Sequence, residues 1–473
     1  KTRISAWKSD KKEGQELGTY LFHIFNGSGG KLSETIKKSY DRGEPLHLYF
    51  AIPFELDALP IELLFDKHFL PLDSNIHIIR QVTDRNRLKN IVREKRRLKI
   101  LFMACSPMDL GDSVLQFEKE EENIQKSIEK FQIEMTVEDS GSLEGLKNAL
   151  MEADGYDIVH ITGHAGIDPK LGPVFYMENE IGELAKVTPE SLGEILKDFP
   201  PRVLFLSGCS TGKSDKVNEV ESFAYRMVEH NIPVALRWGL PVSDTGATIM
   251  TTKLYEYLAM GKDIDFAVQR ARQEVEKNYH PWPLLRLFTD SSPLISIIDP
   301  KRPLMPTSYR KTRYKYLADS EVKVLEYGFI GRRREIQNGT KVLRGEKDKY
   351  GLLIRGPAGL GKSCLAGKLI ERFHEKSLVV FHGEVRAADI VSKLKRLFEE
   401  KNTKSGTDIL DSVREYEEKI KVLFHTTFEE LPTVLYFDDF EQNLIRHGDI
   451  HQIKPEALEV LKPLFYAFDL YKS

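Results

Sequence analysis

Two short apolar runs restrict this chain more than anything else in it. Each ends in a glycine followed at once by a residue able to do proton or nucleophile chemistry. The first reads Tyr156-Asp-Ile-Val-His-Ile-Thr-Gly-His164, the second Arg202-Val-Leu-Phe-Leu-Ser-Gly-Cys209-Ser210-Thr211-Gly212. Nearly continuous apolar runs of this length suit strands buried on both faces, as in a parallel sheet. Parallel neighbours would open their C-terminal ends on one edge, where open α/β sheets keep their sites. His164 and Cys209, 45 positions apart, would then meet across neighbouring strand ends. An imidazole beside a thiol can generate the thiolate of a cysteine hydrolase. Taken singly, a histidine at a strand end is more often a structural hydrogen-bonder, and a buried cysteine a small core residue. Cys105 and His160 fit those blander roles.

The flanking chain supports a sheet of this kind. Apolar runs at 46–52, 98–104, 132–137, 156–162, 203–207 and 233–238 predict strands, and 57–64 predicts a turn opening a short helix. Amphipathic stretches at 118–131, 143–153, 220–230, 245–260 and 264–275 predict helices. Strands alternating with helices of this length predict an α/β fold, a mostly parallel sheet with helices on both faces. Pro300, Pro303 and Pro306, among Lys, Arg and Tyr, mark 299–320 as a linker. Two domains are expected, at 1–298 (an N-terminal subregion 1–95, then the sheet at 96–298) and at 321–473.

A length of 473 residues with 41% hydrophobic content can fill two cores. A net charge of −3 gives no reason to expect a nucleic-acid or membrane-surface binder. No run of 18 or more apolar residues predicts a membrane span, and the first residues lack the apolar core of a signal peptide. The three cysteines, Cys105, Cys209 and Cys364, form no CxxC pair. No disulfide framework and no protein-only metal site is therefore expected, and a reducing, cytoplasmic compartment fits. The chain lacks an initial Met and stops 34 residues after Asp439, so truncation at both ends is expected.

The second half carries a phosphate-binding pattern. Gly356-Pro357-Ala358-Gly359-Leu360-Gly361-Lys362-Ser363-Cys364 matches GxxxxGK[ST] between a predicted strand at 352–354 and a predicted helix at 364–373. Glycines let backbone N–H groups wrap phosphates at a helix N-terminus. The lysine reaches the β and γ phosphates, and the serine hydroxyl can ligate Mg²⁺. Thr433-Val-Leu-Tyr-Phe-Asp438-Asp439, another apolar strand, ends in two acids 76 positions after Lys362. Asp438 would hold Mg²⁺ and Asp439 could polarise a water. The cofactors expected are ATP or ADP with Mg²⁺, bound or also hydrolysed. Phe329-Ile-Gly331-Arg332-Arg-Arg-Glu335, 25 residues before Gly356, resembles the adenine-side signature of AAA-like and STAND ATPases. A strand is also predicted at 378–381, and a helical stretch at about 390–424, interrupted near 403–407.

Several motifs, in order, carry a family resemblance in the first half. They are Ala58-Leu-Pro-Ile-Glu-Leu-Leu64, Leu101-Phe-Met-Ala-Cys-Ser-Pro107, Thr162-Gly163-His164 and Ser207-Gly208-Cys209-Ser210. Val234-Ala-Leu-Arg-Trp-Gly-Leu-Pro-Val-Ser-Asp244, Leu254-Tyr-Glu-Tyr-Leu258 with Gly261, and Ala267-Val-Gln-Arg-Ala-Arg272 complete the set. The stretch from about 46 to 275 thereby resembles the CHAT domain, a caspase-like protease family related to separase. The 321–473 region resembles the P-loop NTPase of NACHT-type or related STAND proteins, incomplete at its C-terminus.

The resemblance implies a caspase-like cysteine endopeptidase, with Cys209 as nucleophile and His164 as base. The backbone N–H of Cys209, with that of Ala165 or Gly166, would form the oxyanion hole; Ala165 stands where caspases carry glycine. By the same resemblance Asp244 lines the S1 pocket and favours a protein substrate cleaved after Arg or Lys. Asp244 also stands where an N-cap of the helix from 245 would. Proteins joining two such modules act in bacterial signalling or defence, with the trigger sensed by further C-terminal repeats and oligomerisation on activation. Two other readings stay open: a catalytically silent CHAT scaffold that recruits partners, and a motor-type ATPase with an accessory domain.

Overall fold

The computed structural model describes residues 11–90, 96–113, 117–131, 133–210, 219–238, 245–278, 280–299, 314–317, 320, 322–325, 329, 331–344, 351–373, 375–447 and 450–471. The chain divides into two compact units, Lys1–Ser308 and Tyr309–Ser473.

The first unit is built on a ten-stranded sheet. Its strands are β1 (Leu46–Ala51), β2 (Ile76–Gln81), β3 (Leu98–Ala104), β4 (Ile133–Glu138), β5 (Ile158–Asp168), β6 (Gly172–Glu178), β7 (Leu184–Val187), β8 (Val203–Ser210), β9 (Val234–Trp238) and β10 (Leu285–Thr289). Their order across the sheet is β1-β2-β10-β9-β8-β5-β3-β4, with β6 and β7 attached beyond β5. Most neighbours are parallel; β9 with β10, β5 with β6, and β6 with β7 run antiparallel.

Helices α1 (Lys11–Asn26), α2 (Lys31–Arg42), α3 (Phe117–Ile128), α4 (Leu143–Ala153), α5 (Pro189–Leu196), α6 (Glu219–Glu229), α7 (Thr245–Ala259) and α8 (Ile264–Lys277) complete the unit. Successive strand side chains point to opposite faces. Ile100 and Phe102 of β3 accordingly join one core, with Ile124 of α3, Met250 of α7 and Val268 of α8. Leu101 and Met103 join another, with Leu146 of α4, Leu192 of α5 and Phe223 of α6. Helices therefore cover both faces, and a mostly parallel α/β sheet is the observed fold class. Ser142 and Thr188 start α4 and α5 as N-caps, each accepting a backbone N–H from the first turn.

Within the ten-stranded sheet, four strands were not among those the pattern predicts: β2, β6, β7 and β10. β2 and β10 hide behind buried charge. Arg80 donates to both carboxylate oxygens of Glu62, at 2.8 and 2.7 Å, and Arg286 lies 3.5 Å from the same group. Burial raises the Glu62 pKa; Arg80, Arg286 and Arg272 outweigh that and hold it at about 2. The predicted turn and short helix at 57–64 form a turn followed by the 3₁₀ helix Ile61–Leu63, which brings Glu62 into this network.

In the second unit β11 (Ser377–His382) and β12 (Thr433–Asp438) pair in parallel. Helices α9 (Arg333–Leu343), α10 (Lys362–Glu371), α11 (Ala387–Glu400), α12 (Lys404–Asp411), α13 (Tyr416–His425) and α14 (Pro455–Tyr471) accompany them. The predicted strand at 352–354 is a correction: residues 351–357 form no regular element. A strand is held by a hydrogen-bonded neighbour, and no described strand pairs with this segment. Leu352 and Leu353 are 41% and 67% exposed, so burial does not hold it either.

Candidate active site and phosphate-loop region

The candidate site of the first unit grows out of one ladder. Parallel β5 and β8 run in register from Ile158 beside Val203 to Thr162 beside Ser207. The ladder continues through Gly163 beside Gly208 to His164 beside Cys209 and Ala165 beside Ser210. The apolar inner halves lock this register, because a slip of one residue would turn every core side chain outward. His164 and Cys209 are thus direct cross-strand neighbours on adjacent strands. His164 is buried, with 5% exposure.

The glycine of Thr162-Gly163-His164 has a steric cause. A Cβ at Gly163 would lie 3.0 Å from the Cys105 carbonyl oxygen and 2.9 Å from the Phe175 ring. The Cys105 N–H donates to the Thr162 carbonyl at 2.7 Å, which draws the end of β3 against β5 at this point. The next turn is fixed by Glu178, a buried acid on β6 that accepts the Ser106 N–H at 2.9 Å.

β5 does not stop at the histidine. It continues to Asp168 and pairs with β6, His164 opposite Tyr176, Ala165 opposite Phe175 and Gly166 opposite Val174. Ala165 and Gly166, the candidate oxyanion donors, therefore lie within a strand. Asp244 lies outside the described residues.

His160, on the inner part of β5, belongs to the core. Its ring stacks on Phe205 at 4.1 Å, and Nδ1 is 2.9 Å from the Tyr255 hydroxyl. Burial pushes its pKa down to about 3. Cys105 is likewise fully buried.

In the second unit, α10 begins at Lys362 directly after Gly361. Gly359 and Gly361 have φ of +80° and +75°, left-handed conformations that favour glycine. The Lys362 ammonium donates to the Pro357 carbonyl at 3.3 Å. The Ser363 hydroxyl donates to Asp438 Oδ1 at 3.2 Å, and the Tyr436 hydroxyl reaches the same oxygen at 2.7 Å. Asp439 follows at φ +51°, with His382 Nε2 3.4 Å from its carboxylate. Arg332 donates to the Leu360 carbonyl at 2.5 Å, joining the Gly331-Arg332 segment to the glycine-rich loop. The folded chain thus brings Arg332, the loop, Ser363 and Asp438 together, though the residues before the loop are not a strand.

Among known proteins, the family model of the CHAT domain matches residues 28–302, more than half of the chain. The chain belongs to the CHAT-domain family. The CHAT match spans β1 to β10 and both members of the His164–Cys209 pair. No curated protein matches the chain. Similar solved structures include that of pro-sf-caspase-1, 14% identical over 40% of this chain and 84% of the other, with a TM-score of 0.25. A second is the Staphylococcus aureus pyridoxal kinase in complex with pyridoxal, 13% identical over 38% and 87%, with a TM-score of 0.20. TM-scores that low are no basis for assigning a fold or a ligand to this CHAT chain. Among the described residues, no helix is long and apolar enough to cross a membrane.

Proposed function

We propose that this CHAT protein is a nucleotide-regulated, caspase-like cysteine endopeptidase of the cytoplasm, acting as a signalling or defence effector. The observation that carries the reading is the cross-strand register of His164 with Cys209. Adjacent strands lie about 4.8 Å apart, so the register sets the His164 and Cys209 backbones at the spacing that a nucleophile-base pair needs. The Cys209 thiolate attacks the scissile carbonyl carbon and forms the C–S bond. The imidazolium of His164 gives its proton to the departing amine as the C–N bond breaks. Water then attacks the thioester, His164 takes its proton, and the thiolate leaves. The backbone N–H of Cys209, with that of Ala165 or Gly166, would hold the oxyanion; one such donor is worth about 3 kcal/mol in the transition state. Asp244 at an S1 floor would select Arg or Lys through a charge-assisted hydrogen bond.

The second unit would bind ATP or ADP with Mg²⁺. Bound Mg²⁺ would neutralise phosphate charge. Ser363 and Asp438 fit this role, because neighbouring ligands of an octahedral ion at about 2.1 Å lie about 3 Å apart, close to their separation of 3.2 Å. Lys362, whose ammonium here rests on a loop carbonyl, would turn to the phosphates, with the N–H groups from Gly359 to Cys364. Nucleotide state would license proteolysis by binding two conformations with different affinity.

The deciding experiment compares new protein N-termini in cells expressing the wild type, Cys209→Ala and His164→Ala. Termini after basic residues that appear with the wild type and vanish in both variants are expected. Identical sets in all three would leave a non-catalytic recruiting scaffold as the function.

A further inference from the structure

At the far end of the same sheet, three side chains with no part in the dyad converge. His47 of β1 and His77 of β2 are direct cross-strand neighbours. Asp265, in the first turn of α8, packs against both. Its Oδ2 lies 2.8 Å from His47 Nε2 and 2.9 Å from His77 Nδ1. The three ligand atoms all fall within 4.8 Å of one another. His77 and Asp265 are buried, at 4% and 3% exposure, while the His47 side chain is 37% exposed. α8 is held in place one turn on, where Gln269 donates to the Ile76 carbonyl at 3.0 Å.

Both contacts are at ion-pair distance. His77 Nδ1 and both Asp265 oxygens are buried without a hydrogen-bonding partner. A buried carboxylate facing two imidazole nitrogens needs a compensating positive charge, which a cation held among the three ligand atoms would supply. Two ligand atoms each about 2.0–2.1 Å from an ion lie about 2.9 Å apart at right angles and about 3.3 Å apart at the tetrahedral angle. The observed 2.8 and 2.9 Å separations are near the first of these, the spacing of a shell that water expands beyond four ligands.

We propose that His47, His77 and Asp265 form a binding site for a divalent transition-metal ion, with Zn²⁺ the natural occupant. Two imidazoles and one carboxylate on one side of an ion suit Zn²⁺, Fe²⁺ and their neighbours, whereas Mg²⁺ and Ca²⁺ prefer all-oxygen sites. The exposed flank at His47 leaves room for water to complete the shell. β2 and β1 are three and four strands from β8, about 14 and 19 Å across the sheet at ~4.8 Å per strand, so the site is separate from the His164–Cys209 pair. Its ion would clip β1, the terminal strand of the sheet, to α8. The absence of any CxxC pair gave no hint of it, because the ligands come from three elements far apart in sequence.

The test uses the full chain, stripped with EDTA and desalted. Zn²⁺ is titrated against a chromophoric chelator, bound metal is counted by mass spectrometry, and Co²⁺ serves as a coloured probe of coordination. Melting is followed by tryptophan fluorescence; all three tryptophans, Trp7, Trp238 and Trp282, belong to the first unit. One tight equivalent of Zn²⁺ that raises this melting temperature is expected. His47→Ala should weaken it by about 100-fold or more and abolish the Co²⁺ absorption. Because His47 is partly exposed, the variant should still fold, with a metal-free melting temperature within about 2 °C of wild type. His77→Ala and Asp265→Asn should also lose the metal. His382→Ala, beside the other acidic pair, should retain it. No metal uptake by the wild type, or unchanged affinity in His47→Ala, overturns the proposal. A metal-free triad stabilised only by pH would show the first of these results.

Discussion

Gly163 and His160 sit three residues apart on β5 and make opposite demands. Gly163 is fixed by what surrounds it: Gly163→Ala drives a methyl into the Cys105 carbonyl and the Phe175 ring. Forcing atoms into a packed core costs about 1–3 kcal/mol. Urea denaturation should register that loss, and peptide cleavage should fall with it because His164 is the next residue. His160 is neutral in the fold, with its pKa pushed by burial to about 3 from an ordinary 6.5. Its contribution is fully present above about pH 6.5 and is lost as pH falls from there toward 3, because only the unfolded chain takes the proton. Between pH 7.5 and pH 5 this amounts to about 2 kcal/mol. His160→Phe should show a stability difference between those two pH values smaller by that amount. His164 and Cys209 were legible because each ends an apolar run. His77 and Asp265 were not, since a histidine within a strand and an acid in a helix's first turn are both commonplace alone.

Elements with a clean apolar pattern were readable in advance. Strands β3, β5, β8 and β9 and helices α3, α4, α6, α7 and α8 fall where periodicity puts them. β2 and β10 were hidden because Arg80 and Arg286 break their apolar runs, and the compensating carboxylate of Glu62 comes from a separate turn. β6 and β7 were hidden because an antiparallel extension beyond a strand end leaves no mark in the strand it extends. The segment at 352–354 fails in the other direction, strand-like in composition and without a partner. The glycine-rich loop and α10 form nonetheless, so the nucleotide assignment can be tested at the scale of that element. Lys362→Ala removes the ammonium at the start of α10. It should weaken ATP binding at least tenfold by calorimetry, against ~0.5 kcal/mol or less for the fold, since the residue lies at the surface. Equal affinity in both proteins would remove the assignment.

At the scale of the whole molecule, each core cluster among the described residues draws on one unit. The clusters around β1–β10 contain only residues of the first unit, and those around β11, β12 and α9–α14 only residues of the second. A polypeptide ending at Ser308 should therefore fold without the rest. Its tryptophan-detected melting temperature is expected within about 3 °C of that transition in the full chain. A much lower value would mean that the second unit supplies stability to the first. The CHAT family of the first unit could be read from ordered motifs. Its edge elements, which depend on paired charges distant in sequence, could not.

The double membership of β5 bears on timing. At His164 the strand is laddered on one side to β8 and on the other to β6. A backbone held along both edges opens only with the slowest, most cooperative events of a fold. The histidine therefore keeps time with the whole molecule, and its position is settled for as long as the protein lives folded. Motion faster than that opening is left to the imidazole itself, which can turn about its own bonds while its backbone stays paired.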